Sequence, residues 1–189
     1  MKKHLVIFVK APRMGRIKTR LAKDIGNFNA WRFYRSTVNG LIKRVGQGKW
    51  DTVICVSPDN YKGSFFDSRY KATSQGGGDL GKRMQRVFDD MPKGKIVLIG
   101  GDIPSIEKHH ITRAFEALKN NQVVFGPADD GGFWLVGMRR ARNRITPFVN
   151  VSWSSADTMK ETAANIKPNV RVAYVDRLND VDTAADLSK

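Results

Sequence analysis

Asp102 stands directly after the apolar run Ile96-Val97-Leu98-Ile99 and two glycines. A carboxylate at the C-terminal tip of a buried strand sits where open α/β sheets bind their ligands, and its hard oxygens suit a divalent cation. Asp129 and Asp130 follow a second apolar run and precede Gly131 and Gly132, so they are expected at the same sheet edge in a catalytic or metal-binding role. Turn chemistry is their simpler reading. Asp180 and Asp182 follow the last apolar run, and helix capping is the plainer role for Asp182. Arg13, Gly15, Arg16, Lys18 and Arg20 surround the turn after the first strand, where cations and free helix N–H groups converge on space for a phosphate.

Other chemistries find less support. Gly15-Arg16-Ile17-Lys18-Thr19 is not a Walker loop, because Ile17 stands where glycine is needed and the upstream glycine is missing. Gly76, Gly78 and Gly81 spell G-x-G-x-x-G, yet the preceding Tyr70-Lys71-Ala72-Thr73-Ser74-Gln75 is too polar for the buried strand of a dinucleotide fold. A flexible loop entering a helix at Asp79, with Arg83 on its first turn, is what remains. His4, His109, His110 and the lone Cys55 make no zinc pattern, and no Ser-His-Asp arrangement is recognisable. Cys55 reads as a small buried hydrophobe, which fits a reducing compartment.

These residues need a frame. Apolar runs predict strands over residues 5–9, 52–56, 96–99, 122–125, 133–138 and 170–175, with a short irregular strand between 61 and 74. Three- and four-residue periodicity predicts helices over 17–23, 30–45, 79–90, 106–119 with Ser105 as cap, and from Ser154 or Ser155 to 166, then a terminal helical turn over 182–187. Strands alternating with helices imply an α/β fold: a mainly parallel sheet with helices on both faces. Residues 1–189 are about one domain in length, and no linker or repeat interrupts them.

The charge is one-sided. The chain carries a formal +15, and residues 1–50 hold thirteen lysines and arginines against the single acid Asp24, a net of +12. Such a field draws phosphate, whether on nucleic acid, an anionic membrane surface or a small ligand. The basic start Lys2-Lys3 precedes an apolar run that Lys10 cuts short of a signal sequence. No run approaches spanning length, so membrane insertion is not expected and a cytoplasmic location is.

Val9-Lys10-Ala11-Pro12-Arg13 with Gly15 and Lys18-Thr19-Arg20-Leu21, then Gly78-Asp79-Leu80-Gly81-Lys82-Arg83-Met84, Gly101-Asp102-Ile103-Pro104 and Gly126 to Trp134, together resemble the radical-SAM/selenodomain-associated transferase family, also called arsenosugar-biosynthesis glycosyltransferases. The motifs run in order over nearly the whole chain. The resemblance implies the GT-A, nucleotide-diphospho-sugar transferase fold, and extends to the molybdenum-cofactor and phospholactate guanylyltransferases. It implies nucleotide phosphates at Lys10, Pro12, Arg13, Gly15, Lys18 and Arg20, and a nucleoside bordered by Gly78, Asp79, Gly81 and Arg83. It also implies Mg2+ or Mn2+ on Asp102, with Asp180 or Asp182 completing the shell. Two departures stand out: the D-x-D of glycosyltransferases is reduced to Gly100-Gly101-Asp102, and the glycine-rich opening of nucleotidyltransferases is replaced by Lys-Ala-Pro-Arg.

The leading expectation is a metal-dependent glycosyltransferase that moves a sugar from a nucleoside diphosphate to a small-molecule acceptor. Asp129 or Asp130 would take the acceptor proton, with Gly131, Gly132, Phe133, Trp134 and Trp153 forming the acceptor pocket. The alternative is a nucleotidyltransferase joining a nucleoside triphosphate to a phosphorylated acceptor with loss of pyrophosphate. A non-catalytic nucleic-acid-binding module is a third, disfavoured reading of the basic first third.

Overall fold

The computed structural model describes residues 1–141 and 144–188. Its centre is a seven-stranded sheet of β1 (Lys3–Lys10), β2 (Asp51–Ser57), β3 (Lys71–Ser74), β4 (Gly94–Gly100), β5 (Val123–Pro127), β6 (Phe133–Arg140) and β7 (Val172–Tyr174). Their spatial order is β3-β2-β1-β4-β6-β5-β7. β6 runs antiparallel to both neighbours, and the other pairings are parallel. The sheet is therefore mixed but mostly parallel, as the strand–helix alternation implies.

Burial explains which runs became central strands. β1 and β4 are apolar on both faces because both are covered: Leu5, Ile7 and Val9 point to one layer and Val6 and Phe8 to the other. The first layer is built on α2 (Asn27–Val45) and α4 (Lys108–Ala117), through Tyr34, Val38, Leu41, Ile111 and Phe115. The second is built on α3 (Leu80–Asp90), through Met84, Val87 and Phe88, with Phe148 beside them. α1 (Thr19–Ile25) buries Leu21, and α5 (Thr158–Ala164) buries Thr158 and Thr162. The polar β3 is an exposed edge strand.

Two helix starts differ from expectation. Ser105 does not cap α4; Glu107 does, and the Nδ1 of His110 accepts the Glu107 N–H at 2.9 Å in a reciprocal capping box. The segment from Ser154 forms turns, and its helix starts only at Thr158 after Asp157. The terminal turn is a 3-10 helix over Ala184–Ser188, whose entry is tied by the Asp186 carboxylate accepting the Thr183 N–H at 3.0 Å.

Candidate functional site

β4 ends at Gly100, and the chain turns over Gly101 before Asp102. The Gly101 N–H donates to the Phe8 carbonyl at 2.9 Å, and a Cβ on Gly101 would lie 2.4 Å from Val9 Cγ1. Only glycine lets the end of β4 lie this close to β1. Asp102 is thereby brought beside the loop that follows β1.

That loop is held from beneath. Tyr34 on α2 accepts the Lys10 N–H and donates to the Lys10 carbonyl, both at 2.8 Å, and Trp31 Nε1 donates to the Pro12 carbonyl at 2.8 Å. Lys18, the residue before α1, has a left-handed backbone with φ 43°. Its side chain, 5% exposed, ends among three carboxylates: Nζ lies 2.8 Å from Asp102 Oδ2, 2.9 Å from Asp182 Oδ1 and 3.4 Å from Asp180 Oδ2. Arg20 Nη1 reaches Asp182 Oδ2 at 3.3 Å.

The charges shift one another. Burial lowers the Lys18 pKa, but Asp102 leads the three carboxylates in reversing this, and Lys18 is held protonated well above the usual lysine range. Asp180 is raised, first by burial and then by Asp182 and Asp102 against the pull of Lys18. Asp182 is lowered: burial opposes this, but the Lys18 hydrogen bond and charge prevail, with Arg20 helping. The shorter contact to Lys18 and the second cation explain why these neighbours move in opposite directions.

Three adjoining cavities meet here, and Asp102 lines them all. A cavity of about 370 Å³ lies over the ends of β1 and β2, between Lys10, Tyr34, Ser57, Gln75, Gly78 and Arg83. Arg83 is fixed there, its Nε donating to the Gly78 carbonyl at 2.8 Å. A polar cavity of about 470 Å³ holds Lys10, Lys18 and Arg20 with Asp102, Asp180 and Asp182. A third, about 220 Å³, holds Asp102, Asp130 and Asp180 against Phe133, Trp134 and Trp153.

The expected site residues divide accordingly. Lys10, Lys18, Arg20, Gly78, Asp79 and Arg83 line the first two cavities. Asp79 also caps α3, accepting the Lys82 N–H at 2.8 Å. Pro12, Arg13 and Gly15 shape the loop instead: Arg13 N–H donates to the Ala11 carbonyl, and Gly15 turns the chain at φ 74°. Gly81 packs against Trp153. Asp130 lines the polar and aromatic cavities, whereas Asp129 points away, its carboxylate 3.0 Å from Arg177 and 2.5 Å from Asn179 Nδ2. Gly132 joins the aromatic cavity; Gly131 instead accepts the Met159 N–H that fixes the start of α5. Trp134 is a core residue showing one edge, with Nε1 bonded to the Asp176 carbonyl at 2.8 Å. Sequence reasoning missed Tyr34, Gln75, Ser154 and Ser155; Tyr34 fits the apolar stripe of α2, which conceals its hydroxyl.

Among the described residues, no three ligating side chains form a ready metal cluster, and the ammonium of Lys18 stands between the carboxylates of Asp102, Asp180 and Asp182. The donor set is still one for a hard cation: all-oxygen carboxylates beside a cavity that also holds the cations of Lys10, Lys18 and Arg20. Mg2+ is commonly held by one or two carboxylates with phosphate oxygens and water. Asp102 with Asp180 or Asp182 fits that pattern.

Known structures share this architecture. A protein from Desulfovibrio desulfuricans G20, provisionally named a nucleotide-diphospho-sugar transferase, superposes with a TM-score of 0.87 at 29% identity, over 99% of this chain and 85% of that one. The 4-diphosphocytidyl-2C-methyl-D-erythritol synthase of Anaerococcus prevotii DSM 20548 shares the fold at a TM-score of 0.61 and 10% identity, over 99% of this chain and 93% of that one. In sequence, the chain is 25% identical to the 2-phospho-L-lactate guanylyltransferase of Methanocaldococcus sp. (strain FS406-22) over 113 residues, 58% of this chain. The match spans about half of that relative, 48% of its length. The fold is thus that of the nucleotide-diphospho-sugar transferases. A family described as an uncharacterized protein conserved in bacteria, DUF2064, matches residues 41–155, more than half of the chain, and the protein belongs to it.

Proposed function

We propose that the protein is a divalent-metal-dependent transferase that moves a sugar from a nucleoside-diphosphate donor to the hydroxyl of a small acceptor. The observation that carries this reading is the position of Asp102, common to three cavities and in contact with Lys18. The nucleoside would lie between Gln75, Gly78 and Arg83. The diphosphate would lie against Lys10, Lys18 and Arg20, which offset charge gathering on the leaving group. Mg2+ or Mn2+ on Asp102 and Asp180 or Asp182 would supply Lewis-acid stabilisation of that diphosphate. Asp130 faces both the phosphate-side and aromatic cavities and would take the acceptor proton. The acceptor oxygen bonds to the anomeric carbon, the bond from that carbon to the diphosphate oxygen breaks, and its electron pair leaves with the nucleoside diphosphate.

A second reading is nucleotidyl transfer, in which an acceptor phosphate attacks the α-phosphorus of a nucleoside triphosphate and pyrophosphate leaves. It is favoured by the guanylyltransferase relative and by the cytidylyl-type fold neighbour. The basic first third permits a nucleic-acid module, which requires neither cavity nor metal. A thermal-shift panel of sugar nucleotides and nucleoside triphosphates, with manganese or chelator, tests all three. Manganese-dependent shifts with a sugar nucleotide, followed by release of nucleoside diphosphate on turnover, are expected. Pyrophosphate release selects the second reading, and salt-sensitive DNA or RNA binding that persists in chelator selects the third.

A further inference from the structure

The aromatic cavity beside Asp130 has a distinctive charge. Three carboxylates line it, those of Asp102, Asp130 and Asp180, and no lysine or arginine is among its described lining residues. It opens beside a hollow of about 720 Å³ that has two arginines, but both are engaged. Arg20 pairs with Asp182 at 3.3 Å and Arg177 with Asp129 at 3.0 Å, and five aspartates line that hollow. The lysines of the site, Lys10 and Lys18, line the polar cavity, where on the transferase reading they would meet the donor diphosphate, and Lys18 is paired with Asp102, Asp180 and Asp182. A phosphate or carboxylate seeks cationic forks or free N–H groups. With Asp102 and Asp180 paired to Lys18, the aromatic cavity offers it the carboxylate of Asp130 and, among its described lining residues, no cationic side chain.

The opposite wall is apolar. Leu80, Phe133 and Trp153 form it, and Leu80 is 45% exposed although it begins a helix otherwise anchored in the core. Trp153 lies against the first turn of α3 because position 81 has no side chain: a Cβ there would be 2.6 Å from Trp153 Cζ2. Phe148 supports the same indole at a ring separation of 6.3 Å. A ring held this way presents a fixed aromatic surface to whatever occupies the cavity. Carbohydrates and cyclic polyols offer such a surface their C–H face while their hydroxyls turn to carboxylates.

Resting on the transferase reading above, we propose that the acceptor is a small hydroxyl compound without phosphate or carboxylate. Trp153 takes its apolar face, and Asp130 takes the proton of the attacking hydroxyl as the sugar–diphosphate bond breaks. This departs from the acceptor class named by the phospholactate guanylyltransferase relative.

The test uses the full-length protein with manganese and whichever sugar nucleotide of the thermal-shift panel it binds. Acceptors are offered as matched pairs that both keep a free hydroxyl: glycerol and glycerol 3-phosphate, glucose and glucose 6-phosphate, inositol and inositol 1-phosphate. Product mass and nucleoside diphosphate release are recorded. Products are expected from unphosphorylated members only. Trp153→Ala should raise acceptor KM about tenfold or more with donor affinity unchanged, while Trp153→Phe, which keeps an aromatic face and secures a folded comparison, should stay within about threefold. Preference for the phosphorylated members, silence from every pair, or equal loss of donor and acceptor binding in Trp153→Ala overturns the inference. Failure of the unmodified protein to bind any nucleotide with manganese instead sinks the transferase reading, so the two failures are read separately.

Discussion

The ammonium of Lys18 lies 2.8 Å from the carboxylate of Asp102, at the point where the carboxylates of Asp180 and Asp182 also converge. One lysine thus balances the charge of these carboxylates, and a divalent cation held as proposed would compete with it for Asp102. Lys18→Met keeps the length and removes the charge. Manganese affinity without nucleotide, read by electron paramagnetic resonance, should rise about tenfold, and nucleotide affinity should fall. The metal-free variant should melt earlier than the parent and recover with manganese. Unaltered manganese affinity would show that Lys18 does not occupy the ion's place.

Asp129 and Asp130 are adjacent in sequence but divided in surroundings, Asp129 bonded to Arg177 and Asn179 and Asp130 lining the polar and aromatic cavities. Asp130→Asn should lower turnover roughly a hundredfold with donor affinity little changed, since on the proposed reading the lost group is the one that would face the acceptor. Asp129→Asn releases Arg177 and Asn179, so it should lower the melting temperature slightly and leave turnover within about fivefold. Steady-state kinetics with calorimetry on both variants checks this. The reverse ranking would move the base to Asp129.

His110 connects pH to the start of α4. Its Nδ1 accepts the Glu107 N–H, which requires the neutral ring, and its pKa is lowered by burial first and then by His109. The folded state therefore resists protonation more than the unfolded chain. This contribution is fully present above the unfolded value near 6.5 and is lost as pH falls through the lower folded value. His4, lowered by burial against the pull of Asp51, adds in the same direction. Melting temperature should fall between pH 7 and 5 more steeply in the parent than in His110→Gln, which keeps a side-chain acceptor and cannot titrate. Parallel curves would remove His110 from the effect.

Cys55 is buried in β2, and burial pushes its thiol up to about 12. At pH 8 a thiol reagent such as Ellman's should react with the native protein at least about a thousandfold more slowly than with the denatured chain. Comparable rates would mean that β2 opens readily.

The strands β1 and β4 and the position of Asp102 were legible in sequence because a doubly covered strand leaves an unbroken apolar run and an abrupt end. Helices with a strong stripe, such as α2 and α3, were legible for the same reason. The direction of β6 was not: an apolar run records burial, and both directions bury it equally. Nor was the α4 cap, because a Glu107–His110 pair replaces the expected serine. The ion cluster was only half visible. Its residues were named separately, but Lys18 lies 162 and 164 positions from Asp180 and Asp182, and spacing in sequence carries no trace of such a contact.

The reversed strand β6 has a consequence for how the site can diversify. Because β6 runs against its neighbours, its first residue, Phe133, stands at the same rim as the last residues of β4 and β5, and the 128–132 turn closes there in a short hairpin. The groups that would flank a nucleotide on the proposed reading come from segments following β1, β2 and β3, on the other side of Asp102. On the proposed reading, remodelling of Phe133 and Trp153, which line the aromatic cavity and neither of the other two, would leave the lining of the donor side unchanged, whereas Asp130, Ser154 and Ser155 line both the polar and the aromatic cavity. If that reading holds, a lineage could exchange one acceptor for another by altering these rim residues while the sheet and the residues around Gln75, Gly78 and Arg83 stay as they are.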